Sequence, residues 1–336
     1  MDSVTVAGVD CGTNSIRLMV AQVDAEGLHP VVPRMLRVIR LGQDVDKNHH
    51  FSDEALERAY AASREFAEVL NRHQVDALRF VATSATRDAT NRLEFEDGIE
   101  SILGVRPEVI PGSQEAALSF LGASSVLNTP QAPKAPYLVV DLGGGSTELV
   151  LGGDGVRTPA NRVSAGYSMD IGSVRMTERH LIDDPPAERQ IDEAVVDINQ
   201  HIDEAFNHID AAATATMIGV SGTVTTMSAL AMGLEQYDRA QVDGTRIAFD
   251  RVFPVNDRVL RMSREQRSGL GAIHPGRIDV VGAGALVWSE VLRRVSEAAA
   301  TRGVVLDSYI ASEHGLLDGI VLDCGRRLLA GNDDVA

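Results

Sequence analysis

Aromatic residues make up only 4% of this 336-residue chain, too few for a platform on which the bases of a single-stranded nucleic acid would stack. Positive charge is also short. The 31 Lys+Arg against 48 Asp+Glu leave a formal net charge of −17, which argues against broad, sequence-independent binding to DNA or RNA. The same field repels any polyanionic substrate at long range, so the basic groups meeting one have to be gathered locally. Two cysteines, Cys11 and Cys324, exclude a disulfide framework and a four-cysteine metal site, and read as reduced thiols of the cytosol. The most apolar stretch, 217–234, is broken by Gly219, Ser221, Gly222 and several threonines, so it reads as strand, turn and helix rather than a membrane span. Met1-Asp2-Ser3 runs directly into an alternating segment with no charged region ahead of an apolar signal core. A soluble, cytoplasmic protein without nucleic-acid or membrane partners is expected.

Several catalytic signatures are missing as well. There is no Gly-x-Ser-x-Gly elbow, no His-Glu-x-x-His and no Walker lysine. The adjacent His49 and His50 lie in a polar loop with no Cys or His spacing that would complete a zinc site. The segment 139–145 follows a strand but lacks the Gly-x-Gly-x-x-Gly register, and Thr147-Glu148-Leu149 continues as strand rather than helix, unlike a dinucleotide-binding turn.

What is present is enough apolar residue, 44%, for sizeable cores and a length that suits two domains. Alternation in 4–10 and 16–23 predicts a hairpin whose turn is Cys11-Gly12-Thr13-Asn14-Ser15. A third strand over 35–41 and a helix capped at Ser52 and running to about Arg72 follow. A strand at 78–82, a helix over 88–102 and a short strand ending at Ile110 come next, and Pro111-Gly112-Ser113 opens a helix over 114–122. Three prolines in 128–136 mark a linker. After it the opening grammar recurs: strand 137–141, glycine turn, strand 147–151. Helices at 169–181 and 188–207 and a last helix near 313–329 complete a strand–helix alternation typical of two α/β domains.

The recurrence is gapless. Val9-Asp10-Cys11-Gly12-Thr13-Asn14-Ser15-Ile16-Arg17-Leu18 aligns with Val140-Asp141-Leu142-Gly143-Gly144-Gly145-Ser146-Thr147-Glu148-Leu149, with Asp, Gly, Ser and Leu coinciding. One Asp-x-Gly is a common turn; two copies, each opening a domain, suggest a pair of phosphate-binding hairpins facing one another across a cleft. Glycine lets backbone N–H groups approach phosphate oxygens, Ser15 and Ser146 add hydroxyls, and an aspartate at each strand end can hold Mg²⁺. Alternatively, Asp10 and Asp141 hydrogen-bond only their own turns, although three successive glycines cost more entropy than a simple turn requires.

These residues resemble the exopolyphosphatase and guanosine pentaphosphate phosphohydrolase family of the actin, sugar kinase and Hsp70 superfamily, over nearly the whole chain. The two repeat copies are similar to its first and second phosphate motifs, with Thr13 where serine is usual. Ala82-Thr83-Ser84-Ala85-Thr86-Arg87-Asp88-Ala89-Thr90-Asn91 and Ile110-Pro111-Gly112-Ser113-Gln114-Glu115-Ala116 resemble two further motifs. Gly219-Val220-Ser221-Gly222-Thr223-Val224-Thr225-Thr226 and Arg277-Ile278-Asp279 resemble two later ones. Gln114 replaces the first of two usual acids, Leu317 stands where arginine is usual, and the chain ends near the length of short bacterial members.

The resemblance implies two actin-like, RNase H-type α/β domains, 1–127 joined by the terminal helix at about 308–336, and 135–306, with an interdomain active-site cleft. It further implies a Mg²⁺-dependent exopolyphosphatase releasing orthophosphate, with short chains favoured, guanosine pentaphosphate as the alternative substrate and a homodimeric assembly. Glu115 would orient or deprotonate the attacking water; read without the family, it equally suits a carboxylate complementing a helix N-terminus. Asp141, Glu148 and Asp10 would be the metal acids. Thr13, Asn14, Ser15, Gly143, Gly144, Gly145 and Ser146 would bind phosphate oxygens. Arg87 near a helix start suits phosphate too; Gly222 and Thr223 either bind phosphate or let a helix pack close. Arg17 faces cleft or solvent according to register, and Arg37 and Arg40 either extend a basic track or guard a sheet edge. A kinase of the same superfamily or a nucleotide-gated, non-enzymatic protein are the competing classes; neither an adenosine pocket nor a partner-binding insertion is evident.

Overall fold

The alternating opening segments form strands β1 (Val4–Cys11) and β2 (Ser15–Val23), antiparallel with Asp10 opposite Arg17. Both of their faces are covered. Ala7, Val9, Ile16 and Leu18 join a core with Phe51, Phe66, Phe80 and Phe95, while Val6, Met19 and Val23 pack with Val321 and Leu322 of the terminal helix Leu316–Asp333. β3 (Leu28–Val38), β4 (Ala77–Ala82) and β5 (Glu108–Val109) complete a sheet in the order β3-β2-β1-β4-β5. The second sheet is built from β6 (Tyr137–Leu142), β7 (Thr147–Gly152), β8 (Val163–Met169), β9 (Thr216–Val220), β10 (Arg246–Ala248) and β11 (Ser308–Ala311), in the order β10-β11-β9-β6-β7-β8.

Read from β8, the second sheet repeats the first. Two antiparallel partners lie to one side of the leading strand, and β9 and β11 run parallel on the other as β4 and β5 do. The expected pair of RNase H-type α/β units is therefore the observed architecture, with β10 as an addition at the edge of the second. The computed structural model describes residues 3–125, 127 and 132–333, so part of the proline-rich 128–136 linker lies outside the described residues. The chain divides into one unit of Met1–Ser125 with Leu316–Ala336 and a second of Val126–Gly315.

Four local readings are corrected. Residues 308–311 belong to the second sheet, not to the terminal helix, because β11 supplies the fifth strand that the RNase H order requires. The helix read over 88–102 is two, Ser84–Asp88 and Arg92–Leu103. Thr90 sends both its N–H and its hydroxyl to the His49 carbonyl, and Asn91 pairs with both backbone groups of Phe51, pulling 89–91 out of helical geometry. The third strand starts earlier than expected, and its position at the sheet edge tolerates Pro30 and Pro33. Residues 163–169 are strand β8, and the helix after them is only Ser173–Arg179; an exposed edge strand rich in Ser and Gly shows no apolar alternation to read.

The terminal helix lies directly on helix Gly112–Ser125. A Cβ at Gly319 would sit 1.8 Å from the Leu118 carbonyl oxygen, a clash with backbone that no rotamer relieves. Gly319→Ala is expected to cost about 1–3 kcal/mol, read as a lower thermal midpoint.

Candidate active site

In the first unit the candidate residues gather at the carboxyl ends of β1, β4 and β5, where open α/β sheets bind ligands. The Thr83 N–H donates to the Cys11 carbonyl and the Ile110 N–H to the Ala82 carbonyl, so the segments after β4 and β5 leave the sheet beside the β1–β2 turn. That turn is pinned from behind. The Gly42 N–H reaches the Thr13 carbonyl at 2.8 Å, and those of Ile39 and Arg40 reach the Asn14 carbonyl at 3.0 Å. Thr13 and Ser15 are buried in it.

Glu115 occupies the first turn of helix Gly112–Ser125 and is buried. Arg87, at the end of helix Ser84–Asp88, donates from Nη1 to Glu115 Oε2 at 2.7 Å and to the Ile110 carbonyl at 3.0 Å. Arg87 thus holds the carboxylate in place.

Asp10 is buried, and Arg17 Nε approaches its Oδ2 to 3.2 Å. Burial pushes the Asp10 carboxyl up, against the pull of Arg17 and Arg34; Arg34 in turn donates to Asp318 Oδ2 at 2.6 Å. Register therefore turns Arg17 toward Asp10. Arg37 instead pairs with Glu65 on the surface at 2.8 Å. Burial, then the neighbouring Asp10, drives the Cys11 thiol well above its ordinary value, so it is no thiolate nucleophile at neutral pH.

In the second unit the equivalent rung is chemically different. Where Asp10 faces Arg17, Asp141 faces Glu148. Both carboxylates are buried, and Ser168 on β8 donates to Glu148 Oε1 at 2.7 Å. Among the described residues no three His, Cys, Asp or Glu side chains gather around a metal-sized point, so no all-protein cage forms. Two opposed carboxylates, completed by water and phosphate oxygens, are the donor set that Mg²⁺ accepts.

The glycine turn does not need glycine for its backbone angles, since none of Gly143, Gly144 and Gly145 has positive φ. Its carbonyls point backward. Gly143 O accepts from Ser173 N at 3.0 Å, Gly144 O from Val174 N and Arg175 N at 2.8 and 3.1 Å, and Gly145 O from Arg175 Nε at 2.7 Å. Thr223, after β9, lies close to Ser173, because both side chains crowd the same glycine, Gly284. A Cβ at Gly222 would sit 1.9 Å from Arg277 Nη1, so Gly222 makes room for a cation rather than for helix packing. The preceding Ser221 has φ 78°, a left-handed conformation uncommon outside glycine and often found at ligand sites. His49 and His50 are exposed, and their loop anchors Thr90.

Sequence reasoning named the turn residues, Asp141, Glu148, Arg87 and Glu115, but not Arg175, Ser168 or the Arg34–Asp318 pair. Their roles arise from contacts across the chain, and no local motif marks them.

Two repeated 3-2-1-4-5 sheets, each with an Asp-led turn after its first strand, define an α/β protein of the actin-like class. The model of the Ppx/GppA phosphatase family matches residues 19–323, and the chain belongs to that family. It is 42% identical to Exopolyphosphatase 2 of Mycobacterium tuberculosis over 325 residues, covering 94% of this chain and 97% of that protein. Among solved structures it is similar to an exopolyphosphatase-like protein, with 69% identity, a TM-score of 0.96 and coverage of 98% and 100%. It also resembles the PPX-GPPA enzyme of Aquifex aeolicus, with 26% identity, a TM-score of 0.76 and coverage of 96% and 100%.

Proposed function

We propose that this protein is an exopolyphosphatase that hydrolyses the terminal phosphoanhydride of inorganic polyphosphate and releases orthophosphate. The observation that carries the reading is the buried Glu115 held by Arg87 at the carboxyl edge of the first sheet. That pairing fits a water-orienting base, in a chain 42% identical to Exopolyphosphatase 2.

In this reading a water oxygen forms a bond to the terminal phosphorus while its proton passes to the Glu115 carboxylate. The bond from that phosphorus to the bridging oxygen breaks, and the shortened chain leaves with the electron pair. The N–H groups of the glycine turn suit phosphate oxygens, on which they would stabilise negative charge. Asp141 and Glu148 would hold Mg²⁺, which when bound neutralises charge on phosphate oxygens. Asp10, the third acid, has Arg17 Nε 3.2 Å from its Oδ2 and faces that arginine rather than a second carboxylate at its rung. A preference for short chains, a homodimeric state and a cytoplasmic setting complete the proposal; no helix among the described residues is long and apolar enough to cross a membrane.

Phosphate release by the purified protein from short polyphosphate, long polyphosphate, guanosine pentaphosphate and ATP, each with Mg²⁺ or EDTA, tests the reading. Mg²⁺-dependent release from polyphosphate, fastest with short chains, is expected. Release from guanosine pentaphosphate alone would reassign the substrate, and turnover of ATP alone would reject the proposal.

A further inference from the structure

The two hairpins are held by the same device with one difference. In each, the segment following the third strand of its sheet donates to the carbonyls of the turn. In the first unit the donors are all backbone: Gly42 N to Thr13 O, then Ile39 N and Arg40 N to Asn14 O. Thr13 and Asn14 correspond to Gly144 and Gly145 in the gapless alignment of the two turns. Gly144 O is likewise held by backbone, from Val174 N and Arg175 N. Gly145 O, the counterpart of Asn14 O, is instead held by a side chain, Arg175 Nε at 2.7 Å.

A trans peptide is planar, so its N–H points opposite to its C=O. Fixing the carbonyls of Gly143, Gly144 and Gly145 therefore fixes the directions of the N–H groups of Gly144, Gly145 and Ser146, away from helix Ser173–Arg179. None of these three N–H groups donates to an acceptor among the described residues. Glycine peptides rotate more freely than others, and the Gly145–Ser146 peptide is held through a side chain that substitution can remove. A Cβ at Gly172 would lie 2.5 Å from Gly144 O, which shows how tightly the supporting segment is pressed against the turn. The strand leading into it, β8, contributes Ser168, which donates to Glu148.

We infer that Arg175 is a positioning residue for phosphoryl transfer. It locks the Gly145–Ser146 peptide so that the Ser146 N–H is preset toward the phosphoryl oxygen on which charge develops. Arg175 is buried and its Nε meets the carbonyl side of that peptide, opposite to the N–H, so it acts on the N–H through the peptide. The inference rests on the proposed phosphohydrolase reading.

Arg175→Met and Arg175→Lys test it against wild type, in steady-state hydrolysis of short polyphosphate and in phosphate titrations of ¹⁵N-labelled protein. Misdirecting one preorganised donor should lower kcat by about 10- to 100-fold in Arg175→Met. KM should move by less than about threefold, because the remaining binding contacts persist. Arg175→Lys should regain part of kcat, since an ammonium can still donate to Gly145 O. Inorganic phosphate should shift the Ser146 amide resonance in wild type and fail to do so in Arg175→Met at an equal degree of folding by circular dichroism. Wild-type kcat in Arg175→Met overturns the inference. So does equal loss in both variants that tracks only their lowered thermal midpoints, with the Ser146 response intact. If wild type releases no phosphate from any polyphosphate, the functional reading itself fails, whereas a Ser146 amide that answers phosphate only when Arg175 is present still supports the positioning role.

Discussion

Glu115→Gln is expected to lower kcat for polyphosphate by about 10²–10⁴-fold, the range associated with a positioned general base. That corresponds to about 2.7–5.4 kcal/mol of activation free energy at 1.36 kcal/mol per tenfold. Glutamine keeps the shape and an acceptor for Arg87 Nη1, now 2.7 Å from Glu115 Oε2, but it cannot accept a proton at neutral pH. Weakening a charge-assisted hydrogen bond to a neutral one costs stability of only about 1–2 kcal/mol. The variant should therefore stay folded while turnover collapses, and the difference between the two effects is the diagnostic. A thermal scan beside initial rates measures both. If kcat remains within about threefold of wild type, Glu115 complements its helix N-terminus and no more, which is worth under about 1 kcal/mol at such sites.

Loss of Mg²⁺ response in Glu148→Gln is the second large effect. Asp141 and Glu148 face each other at one rung of β6 and β7 and both are buried. In wild type, Mg²⁺ at one hundred times its Kd should stabilise the fold by about 2.7 kcal/mol, seen as a rise of about 5–10 °C in thermal midpoint at 2–4 °C per kcal/mol. Glu148→Gln keeps the acceptor for Ser168 but removes one of the two charges. The Mg²⁺-induced rise should disappear in this variant, and kcat should fall by about 10²–10⁴-fold, equivalent to several kcal/mol of charge neutralisation. Asp141→Asn should behave alike. An unchanged Mg²⁺ shift in either variant would place the metal elsewhere.

Much of the fold and of the candidate site is legible in consecutive residues. The gapless repeat from Val9 to Leu18 and from Val140 to Leu149 is local, since a turn between two strands writes its aspartate, glycines and serine into neighbouring positions. It announces both hairpins and the duplicated α/β architecture. Helix Asp53–Leu70 is readable from its Ser52 cap, whose hydroxyl accepts from the Ala55 N–H. Strand β8 is not, because an exposed edge strand of small polar residues carries no apolar period. The break at 89–91 is hidden for a different reason: Thr90 and Asn91 leave the helix for partners about 40 positions away in sequence.

Which residues can do phosphate chemistry, and that they come in two copies, follows from the chain's linear order alone, because the turn motif is contiguous and its chemistry resides in residue type. What each copy became depends on how the chain packs. Strand register sets Asp10 against Arg17 but Asp141 against Glu148, so one rung is an ion pair and the other a candidate cation site. Long-range packing brings Arg87 onto Glu115 and Arg175 behind the glycine turn. Register and through-space contact depend on segments that fold against one another, and such relations are not carried by any single stretch of chain.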